Sequence, residues 1–261
     1  MPSMIHVLLY PKATLLYEVP SSGRIAQALF MRCLASYSEE IAAHVRNEDI
    51  KPYSVSRITT GSDRIKGHFA IVPPNDFVKV TFKLLDDGLL EPLIKGLTFC
   101  SPELIVNGVP MEIGDIRISS KSYWDLLESP LARKLTFRLI TPAIGIEREF
   151  PPPAPTALRR AFRAWNKFSR IKLPQTIFNR LYWAEPTFPT YLESDAVELT
   201  FKGRKQVIVG YRGLITYKLG KFSAQEGKVI TGLARYAEFS GIGRKTSMGF
   251  GVTRVSLGRR T

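Results

Sequence analysis

The apolar pattern of this chain switches between a two-residue and a three-to-four-residue period, in an order that occurs twice. Met4–Tyr10 reads as a strand. Arg24–Arg46 reads as one long helix, because Ala26, Leu29, Phe30, Cys33, Leu34, Tyr37 and Ile41 fall on a single face. An extended stretch follows from Pro52 to Ile58, and Phe77–Leu85 alternates as a strand does. A short helix is expected over Asp86–Leu97. Leu104–Val106 and Met111–Ile118 flank Asn107-Gly108, a strong hairpin signal. The second half repeats the order: a strand at Leu135–Ile140, a helix at Ala157–Phe168 capped by Thr156, and more helix at Gln175–Trp183. Paired strands are expected at Ala196–Phe201 and Gln206–Leu219 around Gly203, then a helix at Ala224–Phe239 and a closing strand at Phe250–Leu257. The expected fold class is α+β: two tandem ferredoxin-like (RNA-recognition-motif-like) β-α-β-β-α-β domains, residues 1–128 and 129–261. RNA-recognition modules of this fold contact RNA with a sheet face. Fold alone does not assign function.

Charge separates the two halves. Residues 1–150 hold 17 basic and 17 acidic side chains, whereas residues 151–261 hold 20 basic and 6 acidic. The whole net charge of +14 therefore sits in the carboxy-terminal part. Such asymmetry points to a polyanionic partner held mainly there, and nucleic acid is the commonest one. No apolar run approaches the roughly 18 residues of a membrane span. The apolar stretch Ile5–Tyr10 is broken by Pro11 and Lys12 with no basic segment before it, so a secretory signal is not expected. Cys33 and Cys100 are too few for a disulfide framework or a zinc site, and a reducing, cytoplasmic setting is the default.

The densest motif is Gly241-Ile242-Gly243-Arg244-Lys245-Thr246-Ser247-Met248-Gly249-Phe250-Gly251. Its glycines allow backbone N–H groups to approach a phosphate, and Arg244 and Lys245 add charge. A phosphate-binding nucleotide loop would need lysine directly after the glycine, but Arg244 intervenes. A dinucleotide fingerprint follows a strand and opens a helix, the reverse of the order here. A tight connection with solvated charges accounts for the same pattern.

Together with Phe239-Ser240 before it and a strand after it, this loop resembles the signature loop of the CRISPR-associated protein six family, CRISPR repeat-processing endoribonucleases of the RAMP superfamily. Ile50-Lys51-Pro52-Tyr53-Ser54-Val55-Ser56 is similar to the family's Lys-Pro-Phe-Thr-Val-Ser stretch. Leu139-Ile140-Thr141-Pro142-Ala143 resembles its Ser/Thr-Pro-Thr segment. Pro151–Pro155 followed by Ala164-Trp165-Asn166 resembles its proline-rich approach to a helix ending in Trp-Asn, and Gly210-Tyr211-Arg212-Gly213 its penultimate hairpin strand. The resemblance extends over nearly the whole chain.

The resemblance implies a protein that binds CRISPR repeat RNA and cuts once per repeat without a metal ion or cofactor. The repeat's 2′-hydroxyl attacks the adjacent phosphate, leaving a 2′,3′-cyclic phosphate and a 5′-hydroxyl end. The product is guide RNA used by a CRISPR interference complex, a further potential partner. No membrane partner is expected, and the protein is expected as a monomer or homodimer. Such chemistry needs an acid, a base and cations around the phosphorane. Of the three histidines, His6 reads as a sheet residue, and His68 lies in Gly67-His68-Phe69-Ala70. The family places its catalytic histidine near the end of the first helix, with a lysine before Pro-Phe and a tyrosine in the same helix. That maps onto His44, Lys51 and Tyr37. Tyr37 and His44, seven residues apart, would share one helix face; Tyr37 also fits the apolar stripe, and His44 also suits a solvated helix end.

RNA binding is expected at Gly241, Gly243, Arg244, Lys245, Thr246, Ser247, Gly249 and Gly251. Arg159 and Arg160 at a helix start join them, as do Lys202, Arg204 and Lys205 at a hairpin turn, and Arg148. The hairpin cations also fit a solvated turn. No Cys/His spacing fits a metal. Two rivals remain: a related subunit of an interference complex that binds guide RNA without cutting, and an RNA-binding protein with no CRISPR role. The loop's place before the last strand, and His44 beside Lys51, favour the enzyme.

Overall fold

The computed structural model describes residues 1–61, 65–66, 68–100, 104–146, 150–201, 204–220 and 222–258. The chain divides into two compact units. One comprises Ser3–Ser120 and Ser247–Gly249; the other comprises Met1–Pro2, Lys121–Thr246 and Phe250–Thr261.

The amino-terminal unit runs β1 (Ser3–Pro11), β2 (Leu15–Glu18), α1 (Ser22–Tyr37), α2 (Glu39–Asn47), β3 (Tyr53–Val55), β4 (Thr59–Thr60), β5 (Ile65–Lys66), β6 (Phe69–Val72), β7 (Val78–Leu84), α3 (Leu90–Cys100), β8 (Ile105–Val106) and β9 (Val109–Ser120). Its main sheet has the order β3-β7-β1-β9-β8, with every pairing antiparallel. That is the ferredoxin-like arrangement, in which each helix returns the chain across a strand already placed. Ile5, Val7 and Leu9 of β1 turn inward against Phe30, Cys33 and Leu34 of α1 and Leu93 and Leu97 of α3. Phe30 stacks on Tyr53 at 3.9 Å between ring centroids. The Asn107-Gly108 turn has both residues at positive φ, 47° and 80°, as a tight hairpin requires. A small sheet, β2-β6-β5, lies outside the expected elements; Leu15 and Tyr17 are buried alternately with exposed Leu16 and Glu18.

One expectation fails here. The helix expected over Arg24–Arg46 is two helices. Ser38 leaves the helical region at φ −158°, ψ 117°, and its side chain accepts a hydrogen bond from the Ile41 N–H as the cap of α2. Glu39 and Glu40 in the next turn suit a helix N-terminus, so a fresh start costs little. Tyr37 and His44 therefore do not share a helix face.

The carboxy-terminal unit runs α4 (Tyr123–Leu127), β10 (Lys134–Ala143), α5 (Ala154–Phe168), α6 (Gln175–Arg180), β11 (Glu185–Pro186), β12 (Tyr191–Phe201), β13 (Arg204–Lys218), α7 (Ala224–Ser240) and β14 (Thr253–Gly258). Its sheet order, β14-β10-β13 with β12 also on β13, repeats the ferredoxin-like pattern. Helix α5 starts at Ala154 rather than Ala157, because Pro155 is tolerated in the first turn, where no N–H is needed. Trp165 is fully buried and packs edge-on against Tyr123 and Tyr236 at 4.8 and 5.2 Å; its indole N–H reaches the Ile171 carbonyl. Burying so large a ring is worth roughly 2–3 kcal/mol. Among the described residues no helix is long and apolar enough to cross a membrane.

Candidate nucleic-acid interface

The glycine-rich loop begins where α7 ends, at Gly241, whose N–H bonds the Ala237 carbonyl. It is stitched to the end of β10 by backbone bonds: the Arg244 N–H to the Ile144 carbonyl and the Gly251 N–H to the Pro142 carbonyl, both 2.9 Å. Ile242 donates to the Gly251 carbonyl and closes the loop on itself. Gly251 sits at φ +62°, and a Cβ there would lie 1.8 Å from the Ile242 oxygen. So close an approach of backbone to backbone excludes any side chain.

The result is a buried scaffold with two projecting cations. Gly241, Thr246, Ser247, Gly249 and Gly251 are buried and Gly243 is half-buried, while Arg244 and Lys245 are exposed. Lys245 is held at φ +56°, a conformation that non-glycine residues rarely adopt. The Arg244 stem lies over Gly145. Thr246 Oγ1 is buried with no hydrogen-bond partner. Ser247–Gly249 belong to the amino-terminal unit, where Gly249 meets Gly23 at the start of α1 so closely that neither tolerates a Cβ. Arg160 donates from Nε to the Ser240 carbonyl at 3.0 Å, which satisfies an end carbonyl of α7 at the root of the loop. Arg159 is exposed. Arg204 is exposed, and Lys205 is exposed and pairs with Glu198 at 2.8 Å. Arg148 and Lys202 lie outside the described residues.

In the amino-terminal unit, His44 and Lys51 converge on one residue. His44 Nε2 lies 3.3 Å from Glu48 Oε1, with the His44 side chain 74% exposed. The Lys51 ammonium donates to the Arg46 and Glu48 carbonyls at 2.5 and 2.6 Å. It caps α2, where a cation is favoured by the helix dipole. Glu48 was not foreseen, although its i,i+4 spacing from His44 is a readable signal. Tyr37 stands apart from this cluster at the end of α1. Its ring stacks parallel to Phe99 at 6.4 Å, with the Lys95 ammonium 5.7 Å from the ring centre.

His6 lies on β1, and its Nδ1 meets Thr81 Oγ1 at 2.9 Å. Burial pushes its pKa below the ordinary value, with Lys79, Lys83 and Arg117 adding to the effect. His68 is exposed. Among the described residues no three His, Cys, Asp or Glu side chains converge as a metal site would require.

Residues 130–253 match the family model described as CRISPR-associated endoribonuclease Cas6. No curated protein sequence matches the chain. Solved structures do. A Cas6 product complex superposes with a TM-score of 0.79 at 20% identity, spanning 98% of this chain and 99% of that one. A second Cas6 product complex gives 0.70 at 21% identity, over 97% and 99%. Thermus thermophilus Cas6 gives 0.69 at 19% identity, over 98% of each chain. At these identities the structural likeness speaks for a shared fold along nearly the full length.

Proposed function

We propose that the chain, whose residues 130–253 match the Cas6 model, is a CRISPR repeat-processing endoribonuclease of the Cas6 family. The observation that carries the reading is the glycine-rich loop, which lies within the matched residues and spends its glycines on packing so that Arg244 and Lys245 stand in solvent. Two cations on a rigid backbone suit a phosphate, whose charge grows as the phosphorane forms. Arg159, Arg160, Arg204 and Lys205 extend the basic surface of the same unit, with Arg148 and Lys202 assigned from sequence.

Cleavage is assigned to the end of α2. The 2′-hydroxyl of the repeat attacks the adjacent phosphorus, its proton passes to a base, and the departing 5′-oxygen takes a proton from an acid. The products are a 2′,3′-cyclic phosphate and a 5′-hydroxyl. His44 is the proton carrier, because it is exposed to substrate and Glu48 orients its ring. Lys51 already serves two carbonyls, so its share is electrostatic. Tyr37, fixed against Phe99, is the third candidate.

The test is incubation of purified protein with candidate repeat RNAs in excess EDTA. One cut per repeat and a cyclic phosphate on the upstream product are expected. Activity lost in EDTA and restored by magnesium would overturn the acid–base mechanism. Tight binding without any cut would identify a non-cleaving RNA-binding subunit instead.

A further inference from the structure

The carboxy-terminal sheet has one face packed on helices, through Leu135 and Phe137 of β10 and Tyr217 of β13. Its opposite face carries a different population. Arg138 of β10 lies directly across from Arg254 of β14 and, on the other side, from Leu214 of β13; Leu214 in turn lies across from Tyr191 of β12. Residues opposite one another in antiparallel strands share a face, so Arg254, Arg138, Leu214 and Tyr191 form one row across four strands. Both arginines are exposed, and Tyr191 is 50% exposed. At about 4.8 Å per strand, Tyr191 stands roughly 10 Å from Arg138.

Like charges directly opposite one another destabilise a sheet. Arginine cannot lose its proton to escape the conflict. Neither guanidinium has an acid partner among the described residues. Elsewhere on this face Arg212 Nε lies 2.8 Å from Asp195 Oδ2, with Glu193 opposite Arg212, while Lys134 lies opposite Lys218 and donates to the Phe188 carbonyl. Thr136 and Ser256 face each other two residues along from the arginine pair, on the same face, and add hydroxyls beside it.

We propose that this face is a second RNA-binding surface, in which Arg138 and Arg254 share a phosphate of a single-stranded stretch and Tyr191 stacks a base. The proposal rests on the reading of the chain as an RNA-processing protein and names residues other than those of the glycine-rich loop and His44. Two guanidiniums offer an anion four or more donors in fixed geometry. An exposed aromatic ring beside them gives a stacking platform that tolerates any base. A protein partner would also find an apolar edge here, but two adjacent arginines without a carboxylate between them complement a phosphate.

The probe is a short oligouridylate, titrated by fluorescence anisotropy at several salt concentrations. Arg138→Gln with Arg254→Gln should weaken its affinity at least tenfold and flatten the salt dependence by roughly 0.7 in slope for each phosphate no longer neutralised. Lys121→Gln with Lys228→Gln removes the same charge from exposed positions elsewhere in the unit and should leave affinity within about twofold. Tyr191→Ala should cost about 5- to 100-fold, and Tyr191→Phe should restore binding. Arg138→Gln alone should raise the Tm by about 1–3 °C, because it removes the cross-strand repulsion, and so exclude misfolding as the cause. Equal oligouridylate affinity in the arginine variant and the lysine control would overturn the proposal. Repeat cleavage is scored separately: a protein that cuts no repeat yet loses oligouridylate in the arginine variant sinks the repeat-processing reading and keeps this one.

Discussion

The two sheets of the molecule place different residues at equivalent points. In the amino-terminal sheet, His6 of the central strand lies between Arg117 and Thr81. In the carboxy-terminal sheet, Arg138 of the central strand lies between Arg254 and Leu214. The strand order is the same, but the electrostatic outcome is opposite. Burial, with the nearby cations adding to it, pushes the His6 pKa below its ordinary value, and its Nδ1 is engaged by Thr81. Arg138 has no such exit, so its field persists at the surface. The net charges repeat the lesson, since residues 1–150 balance to zero and residues 151–261 carry all of the +14. The difference matches the division of labour proposed above, with proton transfer assigned to the balanced unit and grip on RNA to the basic one.

The largest test of that division is His44→Ala. A positioned acid or base contributes about 10²–10⁴-fold in rate, so single-turnover cleavage should slow by that factor. Repeat affinity should stay within a few-fold, because one imidazole adds little to phosphate attraction. Lys51→Ala should slow cleavage less, and His6→Ala and His68→Ala should cleave far better than His44→Ala. Near wild-type cleavage by His44→Ala would remove the chemistry from this site and send the search to Tyr37, Arg46 and Lys51.

Next in size is a contrast between two glycines. Gly251→Ala forces a Cβ onto the Ile242 oxygen at φ +62°, and should cost about 3 kcal/mol or more. Gly108→Ala, at φ +80° with open space around it, should cost only about 1–2 kcal/mol of backbone strain. Thermal unfolding decides; equal losses would mean that the loop is not the rigid scaffold described.

Charge reversal sharpens the comparison further. Arg244→Glu with Lys245→Glu should weaken repeat binding by roughly tenfold or more at fixed salt, and by more than Arg32→Glu with Arg46→Glu. Equal losses would erase the asymmetry between the units.

The smallest effect is on pH. His6 has a pKa lowered from 6.5 in the fold, so the unfolded chain binds the proton more readily. Stability should therefore fall as pH drops through about 6.5 toward the lowered value, and be fully present above 6.5. His6→Gln should flatten the Tm-versus-pH curve in that window. An unchanged slope would show that the fold does not lower the His6 pKa.

What the sequence determined by itself is the local and periodic part. The inward residues of β1, the apolar faces of α1 and α7, the Asn107-Gly108 turn and the two-fold recurrence of the element order all follow from spacing, because each is set by neighbours within a few residues. The break at Ser38 was legible too, in a serine followed by Glu39 and Glu40, but the apolar stripe running through Tyr37 to Ile41 outweighed it. The uneven charge of the halves is composition and needs no fold. Tertiary structure alone decided the rest. Arg138 meets Arg254, and His6 meets Thr81 and Arg117, through strand registers joining segments far apart in the chain. Thr246 and Ser247, which look like ligands in a line of letters, are buried, while Arg244 and Lys245 project. The physical reason is common to these cases. Register and burial are set by how whole faces pack, and a one-residue slip would turn every side chain to the other side.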